Sequence, residues 1–200
     1  MTDDGRSDAK ILTAARLDPT EFAHLVTRHY RRVYRLIVRR IGVDDAEDVV
    51  QETFLTAFRI LNRFDTDKES ALPWLYGIAT NAVGDWMRQQ KRHQRIYLAL
   101  APDPPSDSHE SAVVRRVDAA RTGALFNKIL SRMPERDREP FLLHALTDLS
   151  YPEIGEALGA PSGTIGSRIA RVRRQVRELI PDFEQISEWM DPELEGDQDD

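Results

Sequence analysis

Three groups of polar side chains in this 200-residue chain have types and spacings suited to holding another macromolecule. Asp48, Gln51 and Glu52 stand at i, i+3 and i+4, so on a helix they share one polar stripe. Residues 86–97 carry Arg88, Lys91, Arg92 and Arg95 with no acid, and Asn81 and Asp85 precede them. An Asn offers a base edge both a donor and an acceptor, an Asp only acceptors, and the bases that follow suit phosphates. Residues 162–180 hold Arg168, Arg171, Arg173, Arg174 and Arg177 against Glu178 alone, with Thr164 and Ser167 ahead of them. Short side chains early in such a helix reach base edges in a major groove, while later arginines hold phosphates. Between the first two groups lies the polar stretch NRFDTDKES (62–70), whose one aromatic is Phe64.

No comparable pattern suggests a reaction. There is no cysteine, which removes disulfides, thiolate metal sites and cysteine nucleophiles. His24, His29, His93, His109 and His144 are scattered, and no GxSxG, Walker or GxGxxG sequence occurs. The expectation is a protein that is not an enzyme and needs no cofactor or metal. No stretch reaches the ~18 apolar residues of a membrane span, and residues 1–15 lack a signal-peptide core. A soluble, cytoplasmic chain without membrane insertion is expected.

The elements that position these groups read as helices throughout. Thr20 is placed to cap a helix in which Phe22, Leu25, Val26, Val33, Leu36, Ile37 and Ile41 recur at helical spacing, and Gly42 stops it. Asp44 and Glu47 form a capping-box pattern for the next helix. Its apolar face runs through Ala46, Val49, Val50, Thr53, Phe54, Ala57, Phe58 and Leu61, opposite the polar stripe. A third long helix starts near Pro73, turns Trp74, Leu75, Ile78 and Ala82 inward, and runs to about Arg95. APDPPSDSH (101–109) is a Pro-rich linker. Beyond it, SYPE (150–153) is a capping box for a short helix ending at Leu158-Gly159. Pro161-Ser162 then starts a longer one from Gly163 to Ile180, with Ile165, Ile169, Val172 and Val176 inward. A short helix, a Gly-containing turn and an Arg-rich second helix make a helix-turn-helix. The fold class is therefore all-α, two small helical domains joined by a flexible linker. The divisions are 1–19 (N-terminal segment), 20–95, 96–122 (linker), 123–180 and 181–200 (acidic tail).

Charge fits this division better than its total suggests. The chain has 28 Lys+Arg against 34 Asp+Glu, a net −6, which on its face disfavours a nucleic-acid partner. Nine of the acids lie in residues 181–200, which hold no base. The remaining 180 residues carry 28 bases against 25 acids, a balance of +3. Residues 28–40 add six arginines without an acid. Such clustering is the footprint of polyanion binding. In the tail, Phe183, Ile186, Trp189 and Met190 have roughly helical spacing. A segment docked on the protein that damps DNA binding and a solvated chain both fit that pattern.

DAEDVVQETFLTAFR (45–59) and WLYGIATNAVGDWMRQQKR (74–92) resemble domain 2 of bacterial RNA polymerase sigma factors. MPERDREPFLLHALTDLSYPEIGEALGAPSGTIGSRIARVRRQVREL (133–179) resembles their domain 4. With no other domain, the chain is most similar to the extracytoplasmic-function (ECF) group. The resemblance implies that 20–95 binds core polymerase and the −10 element, and that 123–180 binds the −35 element. It implies that Asp48, Gln51 and Glu52 dock on the β′ clamp helices. Phe64 would stand beside a base flipped from the −10 strand, with Asn81 and Asp85 facing the same strand. Arg88, Lys91 and Arg92 would neutralise its phosphates. Thr164, Ser167, Arg168, Arg171 and Arg173 would face the −35 duplex. The linker would thread near the polymerase active-site and RNA-exit channels. The partners implied are core RNA polymerase through its β and β′ subunits, promoter DNA and an anti-sigma factor.

Two residues depart from the family pattern. Gly166 stands where a Lys or Arg is usual, and a mid-helix Gly costs ~1 kcal/mol. Pro140 falls inside a predicted helix, where it should remove a hydrogen bond and bend the element. The rival reading is an autonomous helix-turn-helix regulator, which would need a ligand pocket or receiver domain within 20–92; the segment shows neither.

Overall fold

The computed structural model describes residues 5–100, with only the backbone at 98–100, and residues 129–179. Most of the linker and the whole acidic tail lie outside them. The described residues fall into two compact units, 5–100 with 156–159 and 129–155 with 160–179.

The first body is a helical bundle. Helix α1 (Asp8–Ala15) lies within the segment read above as a plain N-terminal stretch. Ser7 caps it through its hydroxyl, and Ile11, Leu12 and Ala15 are buried. Eight residues are too few for a stable isolated helix, so burial must hold it. Each of the two large aliphatic side chains contributes about 2 kcal/mol towards that.

Helix α2 (Phe22–Ile41) buries Phe22, Leu25, His29, Val33, Leu36 and Ile37. It is preceded by a 3₁₀ turn, Pro19–Glu21, whose cap is Asp18 rather than Thr20. The Thr20 N–H and hydroxyl both donate to Asp18 Oδ1. Gly42 ends α2 at φ +87°, a conformation that favours glycine, with its N–H on the Val38 carbonyl.

Helix α3 (Ala46–Arg59) starts without a side-chain cap, so the Asp44/Glu47 capping box does not form. Glu47 instead accepts from the Tyr30 hydroxyl at 2.9 Å, tying α3 to α2. The expected apolar face of α3 is buried except for Phe58, which lies half out with its ring edge-on to Phe22. A 3₁₀ turn, Leu61–Arg63, leads to the 62–70 loop. Helix α4 (Leu72–Leu100) then runs five residues past Arg95. Leu75, Ile78, Ala79 and Val83 bury its inner face against α2 and α3.

In the second body, helix α5 (Glu135–Leu146) packs on α7 (Ser162–Leu179). Helix α6 (Tyr151–Leu158), whose last residues group with the first unit, lies between them in sequence. Ile165, Ile169, Val172 and Val176 form the inward stripe of α7, as its spacing predicts. They meet a core that includes Phe141, Leu143, Leu149 and Ile154. Pro140 is buried in α5, which continues through it as one element.

Candidate nucleic-acid interface

On α4 the exposed residues Asn81, Asp85, Arg88, Arg92 and Arg95 recur every three or four positions. They form one stripe about 21 Å long at 1.5 Å per residue. Lys91 stands one turn after Arg88 and is also exposed. The Arg88 Nη2 donates to Asp85 Oδ1 at 2.7 Å, and both side chains are open to solvent. This arginine therefore occupies one acceptor of Asp85. A groove between α3 and α4 is lined by Asp48, Glu52, Asn81, Asp85, Trp86 and Gln89, among others. The acidic stripe of α3 and Asn81 and Asp85 of α4, separate groups in the sequence, thus share one surface. Gln51 is exposed on α3 beside Glu52. Glu52 accepts from Arg59 and Thr56, each at 3.1 Å. Trp86 is half-buried, so its ring is partly packed.

Phe64, which the resemblance would set beside a flipped base, is buried in this structure, 4% exposed, with its centroid 5.4 Å from that of Trp74. The reason is the apolar surface of Trp74 at the start of α4, which takes the ring out of water. Phe64 therefore anchors the loop, and the surface is made by Asn62, Arg63 and residues 65–70, all exposed. Within that stretch Asp65 makes a small turn, accepting from the N–H groups of Asp67 and Lys68, each at 3.1 Å.

Both ends of the loop are held by helix α1, which the sequence reading missed. Arg16 Nη2 donates to the carbonyls of Phe64 at 3.2 Å and Leu61 at 3.5 Å. Asp8 Oδ2 accepts from the Ala71 N–H at 2.7 Å and faces His29 Nε2 at the same distance. Asp8 Oδ1 accepts from Arg28 Nη1, also at 2.7 Å. Burial alone would raise the Asp8 carboxyl. The bonds from His29 and the Ala71 N–H, with the Arg28 guanidinium, outweigh it and hold the pKa at about 2. One signal in the sequence pointed here: His29 sits four residues from both Leu25 and Val33, inside the apolar stripe of α2, where a polar group needs a buried partner.

In the second body the helix-turn-helix forms as its punctuation predicts. The Ser150 N–H donates to Glu153 Oε2 at 2.8 Å, the backbone arm of the capping box. Gly159 closes α6 at φ +63°, a left-handed cap. On α7, Ser167, Arg171 and Arg173 are exposed, while Thr164 and Arg168 are half-buried. Asp137 of α5, buried beneath them, accepts from Arg171 Nη1 at 3.2 and 3.3 Å and lies 4.0 Å from Arg168 Nε. Arg173 Nη2 donates to His144 Nε2 at 2.9 Å. Burial, reinforced by the Arg173 charge, pushes the His144 pKa down and favours the neutral ring that can accept this bond. The His144 ring meets Tyr151 edge-on at 5.2 Å. Tyr151 in turn covers Gly166, where a Cβ would lie 3.4 Å from the ring. A Cβ at 166 would make an ordinary van der Waals contact with that ring.

Comparison with known proteins gives this arrangement a family. Sigma-70 region 2 matches residues 25–93, and sigma-70 region 4 matches residues 124–176. The chain is 33% identical over 183 residues to the RNA polymerase sigma factor NccH of Alcaligenes xylosoxydans xylosoxydans, covering 90% of this chain and 97% of NccH. This chain belongs to the ECF sigma factors of the sigma-70 family. It is 32% identical to the ECF sigma factor SigW of Bacillus subtilis, over 83% of this chain and 92% of SigW. The solved structure of CnrH in complex with the cytosolic domain of CnrY aligns with a TM-score of 0.59 at 25% identity. That alignment covers 87% of this chain and 97% of CnrH. Within this sigma factor, the α3–α4 groove and the 62–70 loop fall in region 2, and the helix-turn-helix falls in region 4. No helix among the described residues is long and apolar enough to cross a membrane.

Proposed function

We propose that this sigma factor is a dissociable specificity subunit that binds core polymerase through Asp48, Gln51 and Glu52 and reads a promoter at two places. The second body takes the −35 duplex with Thr164, Ser167, Arg168, Arg171 and Arg173. The first body takes the separated −10 strand with Asn81, Asp85 and the 62–70 loop, while Arg88, Lys91 and Arg92 neutralise its phosphates. The observation that carries this reading is the α4 stripe, in which base-edge groups lead directly into a run of exposed bases. Flipping a base from its stack costs a few kcal/mol, which binding to such a surface offsets; no nucleotide hydrolysis is needed. Phe64 contributes as the buried floor of the loop.

A protein inhibitor, an anti-sigma factor, is the remaining partner in this reading; CnrH in its complex with the cytosolic domain of CnrY is the parallel. The test is transcription from genomic fragments by core polymerase with and without the chain. Addition of the chain should produce initiation at a restricted promoter set. Failure to co-purify with core, or to direct any initiation, would overturn the reading. Replacing Asp48 and Glu52 together by Lys should weaken core binding by about tenfold or more, because like charges would then face the clamp.

A further inference from the structure

We propose that helix α1, through Asp8 and Arg16, is the positioning element of the 61–71 loop and holds it in shape before DNA arrives. The inference rests on the strand-capture reading and names residues outside the match to region 2, which begins at residue 25.

Asp8 opens α1 and Arg16 closes it. At about 1.5 Å per residue the helix places these two groups some 12 Å apart. Asp8 holds the loop's exit through the Ala71 N–H, and Arg16 holds its entry through the Leu61 and Phe64 carbonyls. Three further contacts make this a brace. Ile11 and Leu12 are fully buried, which fixes the helix to the bundle. Arg28 and His29 of α2 take up the rest of the Asp8 carboxylate, so the acid cannot swing away from Ala71 without breaking both contacts, one of them to a buried histidine. Phe64, between the two Arg16 contacts and the exposed stretch, is itself sealed against Trp74.

The consequence is thermodynamic. A loop whose ends are fixed loses less conformational freedom when it closes on a base, so more of the contact energy goes into capture. Asp8 and Arg16 touch no DNA in this scheme. They act through the loop.

The test uses the full chain assembled with core polymerase, on a promoter that the wild-type holoenzyme selects from genomic fragments. Arg16→Met removes both carbonyl contacts from an exposed position and spares the core; Asp8→Asn weakens the other end; Lys10→Met, on the exposed side of α1, is the control. In the free chain, Arg16→Met should speed amide exchange at 61–71 by about tenfold while leaving α2 and α3 protected. In the holoenzyme, core affinity should stay unchanged. The rate at which promoter thymines become reactive to permanganate should fall several-fold. Arg16→Lys, which keeps one donor, should recover part of both effects.

Unchanged exchange at 61–71 in Arg16→Met would overturn the brace. Faster exchange with a wild-type opening rate would overturn its role in capture. A wild-type holoenzyme that opens no promoter would sink the capture reading itself and that role with it, an outcome distinguishable because the exchange measurement needs no DNA.

Discussion

Asp8 in the first body and Asp137 in the second are buried to nearly the same degree, 3% and 5% exposed, yet their partners lead in opposite directions. Asp8 is satisfied from inside, by a histidine, an arginine and a backbone N–H that all belong to the packing of the bundle. Asp137 is bound to Arg171, whose side chain is 49% exposed, and lies near Arg168 on the helix that faces DNA in the proposed complex. The same residue type therefore does two jobs. Where the partners belong to the packing, removing the acid takes the acceptor from the buried His29 and from the Ala71 N–H, and the fold suffers. Where the partner is half in solvent, the arginine can rehydrate, and what is lost is chiefly its direction. The region 2 body spends its buried acid on holding a loop. The region 4 body uses its own to aim a cation.

The largest effect should come from Phe64, which completes the Asp8 side of this comparison. Phe64→Ala should destabilise the first body by about 3–4 kcal/mol, the range for truncating a buried aromatic, as read from urea unfolding followed by Trp fluorescence. Phe64→Leu, which keeps an apolar anchor, should retain most stability and promoter opening. Loss of opening in the Leu variant with stability intact would restore a direct aromatic contact with the base.

Next comes Asp8 itself. Asp8→Ala should cost about 3 kcal/mol, because Arg28 and His29 lose a buried partner. The pH dependence supplies a second readout. The Asp8 pKa lies at about 2 in the folded chain against an ordinary 3.8. Its contribution is thus fully present above pH 3.8 and is lost as pH falls towards 2. Between those values the wild type should lose more stability than Asp8→Asn, which has no proton to take up.

The second body was the more legible of the two from sequence, and the reason is local. Its helix-turn-helix is written in punctuation: Ser150 with Glu153, Gly159, and Pro161 with Ser162, each acting on its own neighbours. The apolar stripes of α3, α4 and α7 were legible for the same reason, since periodicity survives into packing. What escaped notice depended on contacts between distant residues. Helix α1 is too short to show a period, and its meaning comes from Ala71, 63 positions away. Asp44 and Glu47 looked like a cap until Tyr30 of α2 took Glu47. Phe64 stood out as the one aromatic of a polar loop, and its packing depends on Trp74, ten positions on.

The smallest predicted effect is the most discriminating for the Asp137 side. A protein cation that meets a phosphate changes the salt dependence of duplex binding by about 0.9 in log–log slope. Arg171 is already paired with Asp137, whereas Arg174, one turn further along α7, is exposed. If both reach phosphates, Arg174→Ala should lower the slope by nearly the full amount and Arg171→Ala by less, since part of the Arg171 charge is balanced in the free protein. Asp137→Asn should then raise the contribution of Arg171: the slope steepens, affinity for non-cognate duplex rises, and discrimination in favour of the selected promoter falls. Holoenzyme binding to a selected −35 duplex and a scrambled one, across a salt series, measures all three. Equal slopes for the two arginine variants, unchanged by Asp137→Asn, would mean that the aspartate only fills space under α7, and the contrast with Asp8 would collapse into one of stability alone.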